Sequence, residues 1–285
     1  MRSLNKILVP TDFSEASLWA IEVAAGIARK SNAEIVLLHV VEQPIRQSYN
    51  VEGEMDLDES WEHRIFTLEM IKKGRTDLNQ LAWKIQEQGI NASIVLKIGS
   101  PYHGISTIIN EHPVDLIVMG TFGHTRLERI LLGSNTEKVI RHSKCPVLTL
   151  YDRPDSQIFK NIVYATCANA DESSFSRVLK NAQRLYDSTI HLVRINTPGN
   201  FTPDRYIKKS LEEFASRLEL RNYTLNIFND NTEEEGIVHF AESVHADLIG
   251  LVTHYRSGFA HLLAGGFSEG IVNYSRRPVL TYLSD

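Results

Sequence analysis

Residues 115–149 read DLIVMGTFGHTRLERILLGSNTEKVIRHSKCPVLT, and residues 247–281 read DLIGLVTHYRSGFAHLLAGGFSEGIVNYSRRPVLT. Asp115-Leu-Ile answers Asp247-Leu-Ile, and Pro146-Val-Leu-Thr answers Pro278-Val-Leu-Thr, at one constant spacing without a gap. Self-similarity of this kind marks two copies of one structural unit. Further out, Lys6-Ile-Leu-Val-Pro-Thr answers Asn161-Ile-Val-Tyr-Ala-Thr more weakly, which makes the second copy shorter in its middle. The chain therefore reads as a duplicated domain, 1–151 and 157–285, joined through the polar Asp152-Arg-Pro-Asp-Ser. Its 285 residues suit two domains, each large enough for its own core.

Within the first copy, short apolar runs alternate with helical periods. Ile7-Leu-Val-Pro reads as a buried strand; Ser14 then stands where an N-cap belongs, before the stripe Leu18, Ile21, Ala25 and Ala28. Ile35 to Val41 is apolar almost throughout, as a parallel strand covered on both faces would be. The polar, acidic segment from Glu42 to Glu59 reads as a loop, and Trp61 to Ile85 as a long amphipathic helix ending near Gly89. The residues missing from the second copy are expected to come from this region. Ala92 to Ile98 is a third strand, followed by Ser100 as a cap and Pro101 at the first helical position. Asp115 to Met119 is a fourth strand, Thr136 to His142 a helix and Pro146 to Leu150 a fifth strand. Strands separated by helices predict a parallel, doubly wound α/β sheet with right-handed crossovers.

Composition removes other classes. Hydrophobic residues make up 42% and charged residues 23%, which excludes disordered, collagenous and coiled-coil chains. A net charge of −5 without a polybasic block gives no footprint for nucleic acid or a membrane surface, so an anionic ligand must be held locally. Cys145 and Cys167 are too few for a disulfide framework and lack metal-site spacing, and no window is long and apolar enough to span a bilayer. These features place the expected location in the cytosol.

In doubly wound sheets a ligand binds at the carboxyl ends of the strands, where strand order reverses. The loop after strand four carries Gly120, Gly123 and Gly133-Ser134 in a Gly-x2-Gly-x9-Gly-Ser pattern. Glycine permits close backbone approach to a phosphate, and Ser134, Asn135 and Thr136 lie at a helix N-terminus whose free N–H groups attract an anion. The pattern predicts a phosphate cradle; a turn with an ordinary N-cap is the bland alternative. His124, Arg126 and Arg129 add positive charge beside it. Asp12, just beyond strand one, can accept hydrogen bonds from an amino group or ribose, or cap the helix near Ser14, or both.

Together, Val9-Pro-Thr-Asp12-Phe-Ser, Leu38-His-Val-Val, Met119-Gly-x2-Gly-x9-Gly-Ser-x-Thr-Glu and the closing Cys-Pro-Val-Leu make the chain similar to a tandem member of the universal stress protein family, over nearly its whole length. The resemblance implies two five-stranded parallel sheets flanked by helices, paired through their last strands as an intramolecular pseudo-dimer, with further homo-oligomers left open. For members with this glycine pattern it implies binding of ATP or a related adenine nucleotide (ADP or AMP), with or without Mg2+. It places Asp12, with Pro10 and Thr11 before it, and the backbone of Val40 at the adenine end. Gly99 and Met119 would line the ribose, and Gly120, Gly123, His124, Gly133, Ser134, Asn135 and Thr136 would hold the phosphates.

The second copy departs from this pattern. Val252 and Tyr255 replace Gly120 and Gly123, Gly266 and Phe267 replace Ser134 and Asn135, Cys167 replaces Asp12, and Gly265 alone is kept. Bulky residues cannot adopt glycine conformations, so this half is expected not to bind a nucleotide in the family's way. His254, Tyr255 and His261 have no carboxylate or cysteine to complete a metal set. The chain has no Gly-x4-Gly-Lys-Ser/Thr loop, no Gly-x-Gly-x-x-Gly and no Gly-x-Ser-x-Gly, and no nucleophile or carboxylate pair stands near the glycine loop. The expected function is that of a cytosolic, nucleotide-dependent stress regulator acting on an unknown protein partner, with no fast catalysis. The alternatives are a slow ATPase or self-phosphorylating protein using Ser134 or Thr136, and a scaffold for a protein or small molecule acting through the second half or the Glu42 to Glu59 loop.

Overall fold

The computed structural model describes residues 4–42, 61–121, 133–154, 158–168, 175–254, 271 and 275–284. The first half runs β1 (Lys6–Pro10), α1 (Glu15–Ser31), β2 (Glu34–Val41), α2 (Trp61–Gln86), β3 (Ala92–Ile98), α3 (Pro101–Glu111), β4 (Leu116–Gly120), α4 (Ser134–His142) and β5 (Val147–Leu150). The second repeats this as β6 (Asn161–Ala165), α5 (Ser176–Tyr186), β7 (Thr189–Asn196), α6 (Asp204–Arg217), β8 (Tyr223–Asn229), α7 (Glu233–Ser243), β9 (Leu248–His254) and β10 (Val279–Ser284). The shortening falls between β7 and β8, where the 14-residue α6 replaces the 26-residue α2, as the sequence predicts. Helix α4 starts two residues before the expected Thr136.

All ten strands form one sheet, ordered β3-β2-β1-β4-β5-β10-β9-β6-β7-β8. Strands are parallel within each half, and β5 meets β10 antiparallel, with Leu148 opposite Leu280. The pairing joins the halves as the predicted pseudo-dimer. Strand residues alternate between two cores, as the period-two geometry of a strand demands. Ile7, Val9, Ile35 and Leu37 pack under α1 and α2, together with Tyr164 and Leu192 under α5 and α6. Leu8, Val36 and Leu38 face α3 and α4, and Val163 and Val193 face α7. Both cores run through the domain junction, so apolar burial at roughly 25 cal/mol per Å2 holds the halves together as well as each half internally.

The repeated Asp-Leu-Ile has a physical reason. Asp115 Oδ2 accepts the N–H groups of Asn5 and Lys6 at 2.8 and 3.1 Å, and Asp247 Oδ2 accepts those of Lys160 and Asn161, each at 2.8 Å. Each carboxylate satisfies two main-chain donors at the start of its half's first strand, ahead of the pairing of that strand with β4 or β9. Ser14 caps α1 as expected, accepting from Ser17 N–H, whereas Ser100 precedes α3 without a side-chain cap bond.

Candidate nucleotide site

In the first half the strand order reverses between β1 and β4. A cavity of about 590 Å3 opens at their carboxyl ends, within the size range of small-molecule sites. Of the residues singled out in the sequence, Pro10, Thr11, Asp12, Val40, Met119, Gly120, Gly133, Ser134, Asn135 and Thr136 all line it. Gly99 lies outside its wall; with φ +123° it turns β3 into α3, and its N–H donates to Val41 C=O. Gly123, His124, Arg126 and Arg129 lie outside the described residues.

At one end the wall is main chain and carboxylate. Strand β1 ends at Pro10, opposite Leu38, and Thr11 N–H donates to Leu38 C=O. Residues of β2 alternate the side to which their N–H and C=O point, so Val40 directs both toward the place where β1 has stopped. The Thr11 carbonyl, which a continued ladder would give to Val40 N–H, is taken instead by His39 Nδ1 at 2.8 Å. Asp12 Oδ1 accepts from Ser14 N–H at 3.0 Å and from the Ser14 hydroxyl at 2.5 Å, so it holds the residue that caps α1 rather than capping the helix itself. Glu42 lines the same cavity, and its place in a polar stretch gave no signal of this. Two carboxylates thus stand in this wall.

The opposite end is a helix N-terminus. Helix α4 has Gly133 at its N-cap, and its first internal bond runs from Glu137 N–H to Gly133 C=O. The N–H groups of Ser134, Asn135 and Thr136 therefore have no partner within the helix, and the helix dipole adds positive potential. Thr121 lines the cavity here, and its buried Oγ1 lacks a hydrogen-bond partner among the described residues. The glycines earn their places partly by packing: a Cβ on Gly120 would fall 2.7 Å from Ala16 Cβ, and one on Gly133 3.0 Å from Thr121 C=O. Gly133 N–H donates to that same carbonyl at 2.8 Å, which fixes the approach of β4 to α4. Thr136 is buried and its hydroxyl donates to Gly120 C=O, while Ser134 is exposed.

The second half keeps the framework and changes the residues set on it. Thr166 Oγ1 accepts from Ala168 N–H as Thr11 Oγ1 accepts from Phe13 N–H, and Ala168 and Phe13 share positive φ of 59° and 65°. Yet Cys167 stands for Asp12, and Arg194, at the register position of His39, brings its guanidinium against the Cys167 thiol. The hollow there measures about 200 Å3 and includes Tyr206 and Ser210. Val252 belongs to the core, and Tyr255, His261, Gly265, Gly266 and Phe267 lie outside the described residues. Sequence reading missed Arg194, which only the β6–β7 register connects to Cys167. Among the described residues no group of three or more His, Cys, Asp or Glu side chains could hold a metal, and no helix is long and apolar enough to cross a membrane.

The sequence model described as the Universal stress protein family matches residues 3–150 and again residues 158–282. A universal stress protein of Methanocaldococcus jannaschii is 37% identical over 147 residues, covering 51% of this chain and 81% of that protein. One from Bacillus subtilis is 33% identical over 144 residues, covering 50% of this chain and 97% of that protein. Among solved structures, a universal stress protein from Archaeoglobus fulgidus superposes with a TM-score of 0.73 at 22% identity, covering 99% of this chain and 97% of that one. At that identity the likeness concerns the fold, and it extends across both halves.

Proposed function

This chain belongs to the universal stress protein family, and from that premise we propose that its first half, 1–151, binds ATP or a related adenine nucleotide while its second half, 157–285, serves as a fixed partner. The observation that carries this reading is the polarity of the first-half cavity: main chain and carboxylates at one end, a helix N-terminus at the other. An adenine has donors and acceptors on one edge, matching the outward N–H and C=O of Val40 and the carboxylate of Asp12. A polyphosphate is repelled by Asp12 and Glu42 and attracted by the α4 N–H groups, which fixes the direction of the ligand. Thr121 Oγ1 would find its missing partner there.

The nucleotide acts as a regulator on this reading, with occupied and empty forms presenting different surfaces to a protein partner in the cytosol. Cys145 and Cys167, too few for a disulfide framework, suit a reducing compartment. If phosphate is transferred to the protein, exposed Ser134 is the acceptor, because the Thr136 hydroxyl is buried and engaged.

The test is to denature protein purified without added nucleotide, identify released small molecules by chromatography and mass spectrometry, and titrate the emptied full chain with ATP with and without Mg2+. About one adenine nucleotide per chain is expected. Ser134→Asp places a negative charge at the α4 N-terminus, where it suits the helix but repels phosphate, so it should weaken binding without loss of stability. No binding at millimolar ATP would overturn the proposal, and release of ADP and phosphate would move it toward a slow ATPase.

A further inference from the structure

Phe13 in the first half and Ala168 in the second occupy the same turn. Each follows the first strand of its half, holds a positive φ and donates its N–H to the threonine hydroxyl two residues back. What they place there differs. The Phe13 ring packs on the α1 and α2 side of the sheet, its centroid 4.6 Å from that of His39. Helix α2 closes over the pair: a Cβ on Gly74 would fall 2.7 Å from His39 Cδ2. In the second half Ala168 has no ring, and Arg194 stands at the register position of His39. Here α6, the shorter counterpart of α2, leaves the hollow of about 200 Å3, with buried Ile207 and Leu211 and exposed Tyr206 in its wall. The hollow thus lies where the first half keeps an aromatic ring.

Its charge also differs from that of the first-half cavity. Asp12 and Glu42 stand in the wall of that cavity, whereas the described wall of the hollow holds no carboxylate and one cation, Arg194. Arg194 is half-buried, and its guanidinium meets the Cys167 thiol, a weak acceptor, without an ion pair among the described residues. A guanidinium carries five donors in a planar fork that matches a carboxylate, and charges removed from water are ordinarily paired. The size suits one ring, because a cavity of about 150 Å3 accepts benzene.

We propose that this hollow is a second ligand site, taking a small aromatic carboxylate whose ring occupies the place of the Phe13 ring and whose carboxylate pairs with Arg194. The first-half cavity opens on the α3 and α4 side of the sheet, the hollow on the α5 and α6 side of the other half. The two sites are therefore separate, and the second half has a ligand of its own beyond its part as a fixed partner.

The full chain is titrated with benzoate and with benzamide, which has the same shape without the charge, followed by calorimetry or NMR line broadening. Benzoate should bind more tightly by roughly ten- to hundredfold, the worth of a hydrogen bond to a charged group. Arg194→Gln should erase that preference. Ala168→Phe combined with Arg194→His rebuilds the first-half pair and should abolish binding of both probes. The positive φ is no obstacle to the new ring, since Phe13 adopts it already. Thermal unfolding of both variants separates loss of the site from loss of the fold, and Arg194→Gln carries the test by itself if the double variant does not fold. Millimolar ATP should leave benzoate binding unchanged. Absence of saturable binding at millimolar benzoate, equal affinity for benzamide, a preference that survives Arg194→Gln, or displacement of benzoate by ATP would each overturn the proposal, the last by moving the probe to the first-half cavity.

Discussion

Thr149 and Thr281 occupy equivalent places in the two repeats, and each sends its hydroxyl across the junction: Thr149 Oγ1 donates to Val279 C=O at 3.1 Å and Thr281 Oγ1 to Val147 C=O at 3.3 Å. Both side chains are buried in the antiparallel contact of β5 with β10. This reciprocal pair gives the repeated Pro-Val-Leu-Thr a purpose, because an apolar strand end would lack these two bonds.

Thr149→Val and Thr281→Val should each lower stability by about 1 kcal/mol, the usual net value of a buried hydrogen bond. Urea unfolding followed by fluorescence should show one transition for the parent chain, as expected from cores that cross the junction. In the double variant the two halves should begin to separate into two transitions.

Gly120→Ala should destabilise the first half by about 1–3 kcal/mol, the typical cost of overpacking. The added methyl meets Ala16 Cβ at 2.7 Å and the Ala16 carbonyl carbon at 2.9 Å. Combining it with Ala16→Gly should recover part of the loss, since the second contact is main chain. Thermal unfolding of the four proteins in this cycle measures the coupling.

Asp12→Ala should cost about 1 kcal/mol of stability, because the Ser14 N–H and hydroxyl lose their acceptor. Asp12→Asn should restore most of that and still leave adenine-nucleotide affinity reduced by about tenfold, the equivalent of one hydrogen bond to a charged acceptor. Calorimetric titration beside urea unfolding separates the two effects.

His239 and Asp230 form a pair at 2.7 Å. The hydrogen bond to Asp230, helped by its charge, raises the His239 pKa above 6.5, and the hydrogen bond from His239 lowers that of Asp230 below 3.8. The raised histidine contributes below pH 6.5 and loses its contribution as pH rises through its folded-state value; the lowered aspartate contributes above pH 3.8 and loses it as pH falls through its own. The pair therefore helps most between those limits. Because His239 is largely exposed, the effect should be a few tenths of a kcal/mol. Stability measured from pH 6 to pH 8.5 should fall slightly more in the parent than in His239→Gln.

The two thiols should react in sequence. Burial pushes Cys145 up to about 11, whereas Cys167 is half-buried, with the Arg194 guanidinium against its thiol. Iodoacetamide at pH 8 should modify Cys167 in the native protein and Cys145 only after unfolding, and Arg194→Gln should slow the first reaction. Peptide mass spectrometry reads both.

The duplication, the strand positions and most of the site wall were legible because they depend on local rules. A doubly covered parallel strand reads as a nearly continuous apolar run, as Ile35 to Val41 does, and Gly133-Ser134 before a helical period marks a helix N-terminus by local preference. Glu42, Thr121 and Arg194 were not legible. Each is an ordinary polar residue until strands far apart in sequence bring it beside the site. Nor was the packing of Gly120 against the Ala16 methyl on α1, a constraint that the glycine pattern by itself does not show.

By itself the sequence determined that this chain is two copies of one α/β unit, with a glycine-rich loop kept in the first and rebuilt in the second. Hydrophobic period and repeated motifs are properties of neighbouring residues, so folding was not needed to see them. Tertiary structure alone decided that Val40 turns its main chain toward open space and that Asp115 and Asp247 close the first strands of their halves. It also decided that the Tyr186 hydroxyl is buried with no hydrogen-bond partner among the described residues. These are matters of register and of contact between distant segments, and no local pattern encodes which donor the packed chain leaves without an acceptor.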